Sequence, residues 1–119
     1  MTKIKNLTPH KVILKGEDGK VNIFRSMGVI RASEMLVDES FITTDEGDRI
    51  KVVRKEFRQP NLPEEQDGII YIVSLPVCIT SPHRKDIYIP NDIQRDERGR
   101  IQHCKSISMN PFYRGDEDD

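Results

Sequence analysis

The sequence contains no apolar segment that approaches the roughly 18 residues needed for a membrane-spanning helix. Residues 1–6 carry positive charge, but no apolar segment follows them, so we expect no secretory signal. The chain has only two cysteines, Cys78 and Cys104, which fits free thiols in a reducing compartment better than a disulfide framework. These features predict a cytoplasmic protein that does not enter membranes.

Neither sign of charge is in excess. Lys and Arg number 19 against 20 Asp and Glu, so the chain lacks the overall basic field that drives general nucleic-acid binding. Charged residues make up 33% of the chain and hydrophobic residues 35%. A core this lean suits a monomer, and it also suits a core that a second copy completes.

Motifs for catalysis, metals and cofactors are missing as well. The three histidines and two cysteines show no C-x-x-C or H-x-x-x-H spacing, the spacing that lets one turn chelate zinc. There is no G-x-x-x-x-G-K, G-x-G-x-x-G or G-x-S-x-G. The acidic pairs Asp45-Glu46 and Glu64-Glu65 lie in predicted turns, where they stay solvated. We therefore expect no enzyme, no catalytic residues, no metal and no cofactor.

The apolar pattern follows a period of two, which is typical of strands. Three pairs of such runs flank turn signals and predict hairpins: 12–14 with 21–24, 41–44 with 50–53, and 93–95 with 100–107. The run 69–73 is almost continuously apolar, so it predicts a central strand buried on both faces.

Other segments are less regular. Val29-Ile30-Arg31 is compatible with a short strand, and Ser33 to Glu39 with a helical turn or a strand end. Two prolines and a glycine predict a loop from Gln59 to Gly68. Pro76 predicts a bend or one helical turn after Ser74, and Pro90 is expected to stop the strand that begins at Asp86.

Together these elements predict a mainly β fold: a single small barrel or sandwich of about six to eight short strands, with at most one or two short helical turns. Residues 1–110 should form one β-rich domain. Residues 111–119 should form an acidic, disordered tail, since Gly115 to Asp119 contain no apolar residue.

The candidate site is cationic. Arginines near loops can hold phosphate or carboxylate with paired donors, and nearby hydroxyls can complete an anion site. The alternative is local ion pairing, because Asp86 follows Arg84 closely and acidic residues separate Arg95 from Arg98. The predicted ligand-binding residues are Thr8, His10, Ser74, Arg84, Arg95 and Arg100.

Several motifs resemble a group of small, uncharacterised phage and actinobacterial proteins that open with Asn-Leu-Thr-Pro-His, here residues 6–10. The similarity continues at 71–74, at 84–87 with Pro90, and at 95–101 with Cys104. The resemblance implies a phage origin rather than an activity. Some small phage proteins are oligomeric sponges that trap the nucleotide signals of bacterial immunity, and this chain is similar to them in size and in lacking catalytic motifs.

Two hypotheses follow. The first is a non-catalytic, homo-oligomeric binding protein that sequesters a small anionic ligand, a nucleotide immune signal, in the cytoplasm of the host cell. The second is a protein-interaction module, either a phage inhibitor of a host protein or a minor virion component. Its contact surfaces would be the acidic tail and the loop from Pro60 to Gly68.

Overall fold

A computed structural model describes residues 1–115 and shows a mainly β protein with eight strands and one short helix in that range. The strands are β1 (Lys3–Asn6), β2 (Val12–Lys15), β3 (Val21–Phe24), β4 (Ser33–Thr43), β5 (Arg49–Arg58), β6 (Ile69–Ile72), β7 (Ile87–Arg95) and β8 (Ile101–Met109). The helix is α1 (Leu75–Thr80).

Six strands form one sheet in the order β1-β6-β7-β8-β2-β3. The pairs β1–β6, β6–β7 and β2–β8 are parallel, whereas β2–β3 and β7–β8 are antiparallel hairpins. A bridge between Asn6, at the end of β1, and Ser26, just after β3, brings the two outer strands together. The sheet is therefore a nearly closed barrel.

The core lies between this sheet and α1. Its buried members come from the residue after β1, from β6 and the residue after it, from α1 and from the start of β7. Tyr71, Val73 and Ile87 are almost completely shielded from solvent, and α1 contributes Val77 and Cys78. The apolar run that predicted a central strand therefore forms the centre of the core.

The hairpin of β4 and β5 is a separate two-stranded sheet, which we call the arm (residues 33–58). Each of its strand residues is exposed. Ten residues of strand span about 33 Å, and the protein as a whole is 59 Å long, with a radius of gyration of 18.4 Å. A compact domain of this size would have a radius of about 13.5 Å, so the arm projects from the barrel.

The fold class and all three hairpins predicted from the sequence are confirmed. The central strand is also confirmed, as β6 between β1 and β7. The helical turn predicted after Ser74 is α1, and it carries Pro76 in its first turn, where a missing backbone N–H costs little.

Two local predictions differ from the structure. Residues 29–31 form no strand; instead Ile30 packs against the core, and its amide donates to the Leu7 carbonyl at 3.1 Å. Pro90 does not end its strand, because β7 continues to Arg95. Of the two alternatives for Ser33 to Glu39, a helical turn or a strand end, the structure shows strand.

The segments flanking the barrel are attached to it. Leu62, in the predicted loop from Gln59 to Gly68, packs against the core. The amide of Arg114 donates to the Pro82 carbonyl at 2.9 Å, so the chain follows the barrel surface that far. Residues 116–119, the acidic end of the predicted tail, lie outside the described residues. Within residues 1–115, no helix has the length and apolar character required to cross a bilayer.

Candidate functional site

A cavity of about 660 Å³ opens at one end of the barrel, and we call it the mouth cavity. It is bounded by the segment after β1, the start of β2, the junction of β6 with α1, and parts of β7 and β8. Its lining residues are Thr8, His10, Lys11, Val12, Ile13, Val73, Ser74, Leu75, Ile89, Pro90, Ile93, Ile101, Gln102 and Cys104.

The buried side chain of Asn6 shapes one rim of this cavity. Its Nδ2 donates to the carbonyls of His10 and Phe24, both at 2.8 Å. Its Oδ1 accepts from the amide of Thr8 at 2.9 Å and lies 2.7 Å from the Thr8 hydroxyl. Asn6 therefore holds the turn that presents Thr8 and His10, and it ties that turn to the end of β3.

Polar groups are gathered at the opening. His10, Lys11 and Ser74 are exposed there, and Thr8 is half-buried. Ser74 occupies the position before α1, yet its hydroxyl makes no capping hydrogen bond to the helix. This hydroxyl is therefore available to a ligand, and Lys11 adds a positive charge to the lining of the same cavity.

The walls are apolar. Ile89 and Pro90 come from β7 and are half-buried, while Ile93 and Ile101 also line the cavity and are more exposed. Cys104 is 4% exposed, and burial together with the charge of Asp92 raises the pKa of its thiol. A raised pKa leaves Cys104 as a neutral thiol, which packs as a small apolar group.

The course of β7 past the cavity depends on two unusual residues. β6 pairs with β7 only as far as Tyr88, so at Pro90 the β6 side of the strand has no ladder partner and a proline fits. Asp92 has a φ of 52°, in the left-handed region that aspartate tolerates better than most residues. These features let Ile89, Pro90 and Ile93 all face the cavity.

Arg84 lies away from this cavity and is engaged elsewhere. Its Nε and Nη2 donate to the two carboxylate oxygens of Asp86 at 2.8 and 2.7 Å, and Nη2 also donates to the Pro63 carbonyl at 2.8 Å. The hydrogen bond to Asp86 is the main cause that raises the pKa of Arg84. Both side chains are largely buried, so Arg84 fastens the loop before β6 to the barrel.

Arg95 and Arg100 flank the β7–β8 turn. Arg95 Nη1 donates to the Gly99 carbonyl at 2.9 Å, and Arg100 Nε donates to Asp96 Oδ2 at 3.1 Å. The amides of Arg98 and Arg100 donate to Asp96 Oδ1, and these bonds hold the pKa of Asp96 below its ordinary value. The turn borders a shallow depression of about 560 Å³, whose lining shares Gln102 with the mouth cavity.

The structure thus brings together three of the six predicted ligand residues, Thr8, His10 and Ser74. The arginines do not join them in one place: Arg95 and Arg100 lie in the neighbouring depression, and Arg84 lines neither. Arg84 and Arg100 each pair with a nearby carboxylate, as the ion-pairing alternative predicts.

The sequence analysis did not single out Asn6, Lys11 or Gln102. Asn6 is the first residue of the Asn-Leu-Thr-Pro-His segment, and Lys11 directly follows the segment. That segment could therefore have pointed to both residues. Gln102 gave no signal, because only the pairing of β8 with β2 and β7 brings it to the mouth.

In the described part of the chain, no group of three or more His, Cys, Asp or Glu side chains is placed to hold a metal ion. Comparisons of the chain with protein-family models, with curated proteins and with solved structures find no match.

Proposed function

We propose that this protein is a non-catalytic binding protein that holds a small anionic ligand, a nucleotide, in the mouth cavity. The observation that carries the proposal is the meeting of Thr8, His10 and Ser74 at the opening of one apolar cavity of about 660 Å³. Ligand cavities in proteins commonly measure about 300–1,000 Å³ and combine apolar walls with a few convergent polar groups.

The walls suit the apolar faces of a nucleobase. Ile89, Pro90 and Ile93 offer flat aliphatic surface, and Gln102 supplies an amide that can both donate to and accept from the edge of a base. The ligand class is inferred from this division between apolar walls and a polar mouth.

The opening suits the anionic part. Lys11 and the imidazole of His10 are the basic groups at the rim, and the hydroxyls of Thr8 and Ser74 stand beside them. Arg95 and Arg100 lie beyond Gln102 from the mouth cavity. To bind a phosphate there, they would have to give up their bonds to the Gly99 carbonyl and to Asp96. In this proposal Lys11 takes the role that the sequence analysis gave to Arg84.

The wider role we propose is that of a phage protein that sequesters a nucleotide immune signal. Its support is the resemblance of residues 6–10 and the later motifs to small phage proteins, together with the cavity. A sponge of this kind needs tight binding and no chemistry.

The test is a thermal-shift screen with cyclic dinucleotides, ADP-ribose derivatives and AMP. A ligand at 100 times its Kd adds about 2.7 kcal/mol of stability, which corresponds to a rise in Tm of about 10 °C for a domain of this size. No shift with any of these nucleotides would overturn the proposal. The bound ligand should be recovered unchanged by mass spectrometry, and a converted ligand would overturn the non-catalytic part.

Matched variants locate the site. Lys11→Ala should raise the apparent Kd at least tenfold, because it removes the positive charge at the opening. Thr8→Val should also raise the apparent Kd, and its unliganded Tm is measured beside it because the Thr8 hydroxyl also bonds to Asn6 Oδ1 and the His10 carbonyl. Lys15→Ala, an exposed lysine on β2 that does not line the cavity, is the control and should bind as the wild type does. Equal loss in the control would point to a diffuse charge effect.

The second candidate is a protein-interaction module, that is, an inhibitor of a host protein or a minor virion component. The observation that favours it is the exposed apolar surface of the arm. A stoichiometric host partner recovered from lysate by the wild type, and lost when the arm is altered, would support this candidate. A blank nucleotide screen alongside that result would select it over the first.

A further inference from the structure

The arm exposes far more apolar surface than a free hairpin should. Nine large hydrophobic side chains of β4 and β5 are between 38% and 55% exposed: Met35, Leu36, Val37, Phe41, Ile42, Ile50, Val52, Val53 and Phe57. An isolated two-stranded hairpin is only marginally stable in water. Both outer edges of this ribbon are unpaired among the described strands. The arm therefore needs a covering partner.

The two faces of the arm differ. On one face the Lys51 ammonium is 3.0 Å from Glu39, Lys55 is 3.3 Å from Glu34, and the Arg49 guanidinium lies 4.0 Å from the centre of the Phe41 ring. The charged groups named on that face already have partners within the arm.

On the other face, near the tip, Ile42 is directly opposite Ile50, and Ser40 is opposite Val52. These four positions form an uncharged patch, and it is the surface best suited to burial.

Charge is also divided between the two strands. The charged residues of β4 are all acidic, namely Glu34, Asp38 and Glu39. β5 carries five basic residues and one acidic residue, Glu56. Opposite charges on neighbouring strands stabilise a sheet, and like charges directly opposite each other destabilise it. A new neighbour for β4 should therefore be basic and a new neighbour for β5 acidic, which a second arm supplies.

The exposed apolar side chains lie on both faces of the arm. The pairing places Ile42, Ile50 and Val52 on one face, and Phe41, Val53 and Phe57 on the other. Either face therefore offers only part of the exposed apolar surface to a partner.

We propose that the arm joins copies of this chain. β4 of one copy pairs at its edge with β5 of the next, so each arm extends the sheet of its neighbour. Closure of the arms into a ring turns the face that carries Ile42, Ile50 and Val52 to the inside. Because β4 and β5 edges are different surfaces, the contact is head to tail, and a closed ring of copies satisfies every edge. This assembly does not depend on a nucleotide in the mouth cavity.

Sedimentation of the full chain tests the association. The wild type should sediment at a multiple of 13.8 kDa, and Ile42→Asp/Ile50→Asp should sediment as the monomer with an unchanged barrel. Val21→Asp/Ile23→Asp is the matched control, since these β3 side chains are 53% and 52% exposed, and it should assemble normally. A monomeric wild type, or assembly that survives in the arm variant and fails in the β3 variant, overturns the proposal.

Cross-linking tests the pairing. Ser40→Cys protein and Val52→Cys protein are mixed in equal amounts and treated with a short bifunctional maleimide. Cys78 and Cys104 are buried and should not compete. If β4 pairs with β5, cross-linked dimers that join one Ser40→Cys chain to one Val52→Cys chain should make up more than half of all dimers, the share that random encounter gives. A majority of Ser40→Cys homodimers would show β4-to-β4 contact and overturn the proposed pairing. Capture of a host protein by the arm would overturn it too, because the surface would then belong to that partner.

Discussion

Replacing Asn6 should destabilise the protein more than any other exchange of a single polar side chain near the mouth. Asn6→Ala removes two donated bonds, to the carbonyls of His10 and Phe24, and leaves Thr8 without its acceptor. A hydrogen bond contributes about 1 kcal/mol net, and a carbonyl left unpaired when buried costs about 1–3 kcal/mol. We expect a loss of about 3 kcal/mol, or a fall in Tm of about 12 °C.

Urea denaturation followed by circular dichroism measures the loss. The matched control is Asn22→Ala. The amide of this half-buried residue makes only long bonds of 3.3 and 3.4 Å, so the cost should stay below about 0.5 kcal/mol. The reasoning is refuted if Asn6→Ala is as stable as the wild type, or if the two variants lose equal stability.

Asn6→Asp refines the same prediction. It keeps the acceptor for Thr8 but directs a carboxylate at the Phe24 or His10 carbonyl, so it should cost more than alanine at pH 7. The folded protein raises the pKa of such a carboxyl above its unfolded value of about 3.9. The extra cost is therefore full above the raised pKa of the folded state, shrinks as the pH falls from that value toward about 3.9, and is absent below about 3.9. A cost that stays constant with pH would contradict the geometry.

Three further outcomes follow from the structure. Arg84→Met should cost about 3 kcal/mol in urea denaturation, because it leaves the Asp86 carboxylate buried without its partner, whereas Arg100→Met, at an exposed pair, should cost little. Folding lowers the pKa of Asp96, so this group stabilises the fold above its ordinary pKa, and the contribution is lost as pH falls through the lower folded value. The urea midpoints of the wild type and of Asp96→Ala should accordingly converge as the pH falls. A difference between the two midpoints that grows in acid would contradict a lowered pKa for Asp96. Burial raises the pKa of Cys78 to about 11 and also raises that of Cys104, so a thiol reagent at pH 8 should react with either only as fast as the protein opens. Immediate reaction at Cys104 would show that the reagent reaches this thiol through the mouth cavity without any opening of the protein.

Local pattern predicted the hairpins because each joins strands that are neighbours in sequence. It could not predict the parallel pairs β1–β6 and β2–β8, since nothing in a strand of four residues identifies a partner more than 60 residues away. The ambiguity at Ser33 to Glu39 has a physical cause as well. A register shift between Leu36 and Asp38 leaves Val37 without a partner, which breaks the alternation of period two.

Pro90 shows the limit of a rule about single residues. Proline removes a ladder donor, but only one side of β7 is paired at that position, so the donor is not needed. The arginines show the corresponding limit for charge. Sequence neighbours identified Asp86 as a partner for Arg84, yet the Pro63 carbonyl, 21 residues away, is visible only in the folded chain. Thr8, His10 and Ser74 line one cavity, as predicted, because the turn after β1 and the end of β6 are adjacent in space.

The order of the strands has a consequence for how the protein is made. β1 can pair only after β6 has been synthesised, and β2 can pair with β8 only after β8 has been synthesised. The barrel therefore cannot close until nearly all of this sequence has left the ribosome. Such distant pairings make folding slow, whereas a hairpin of adjacent strands forms within microseconds. During synthesis both strands of the β4–β5 ribbon are therefore available to pair while the barrel is still open. If the arm joins copies as proposed, nascent chains on one polysome can associate through it before either has folded fully.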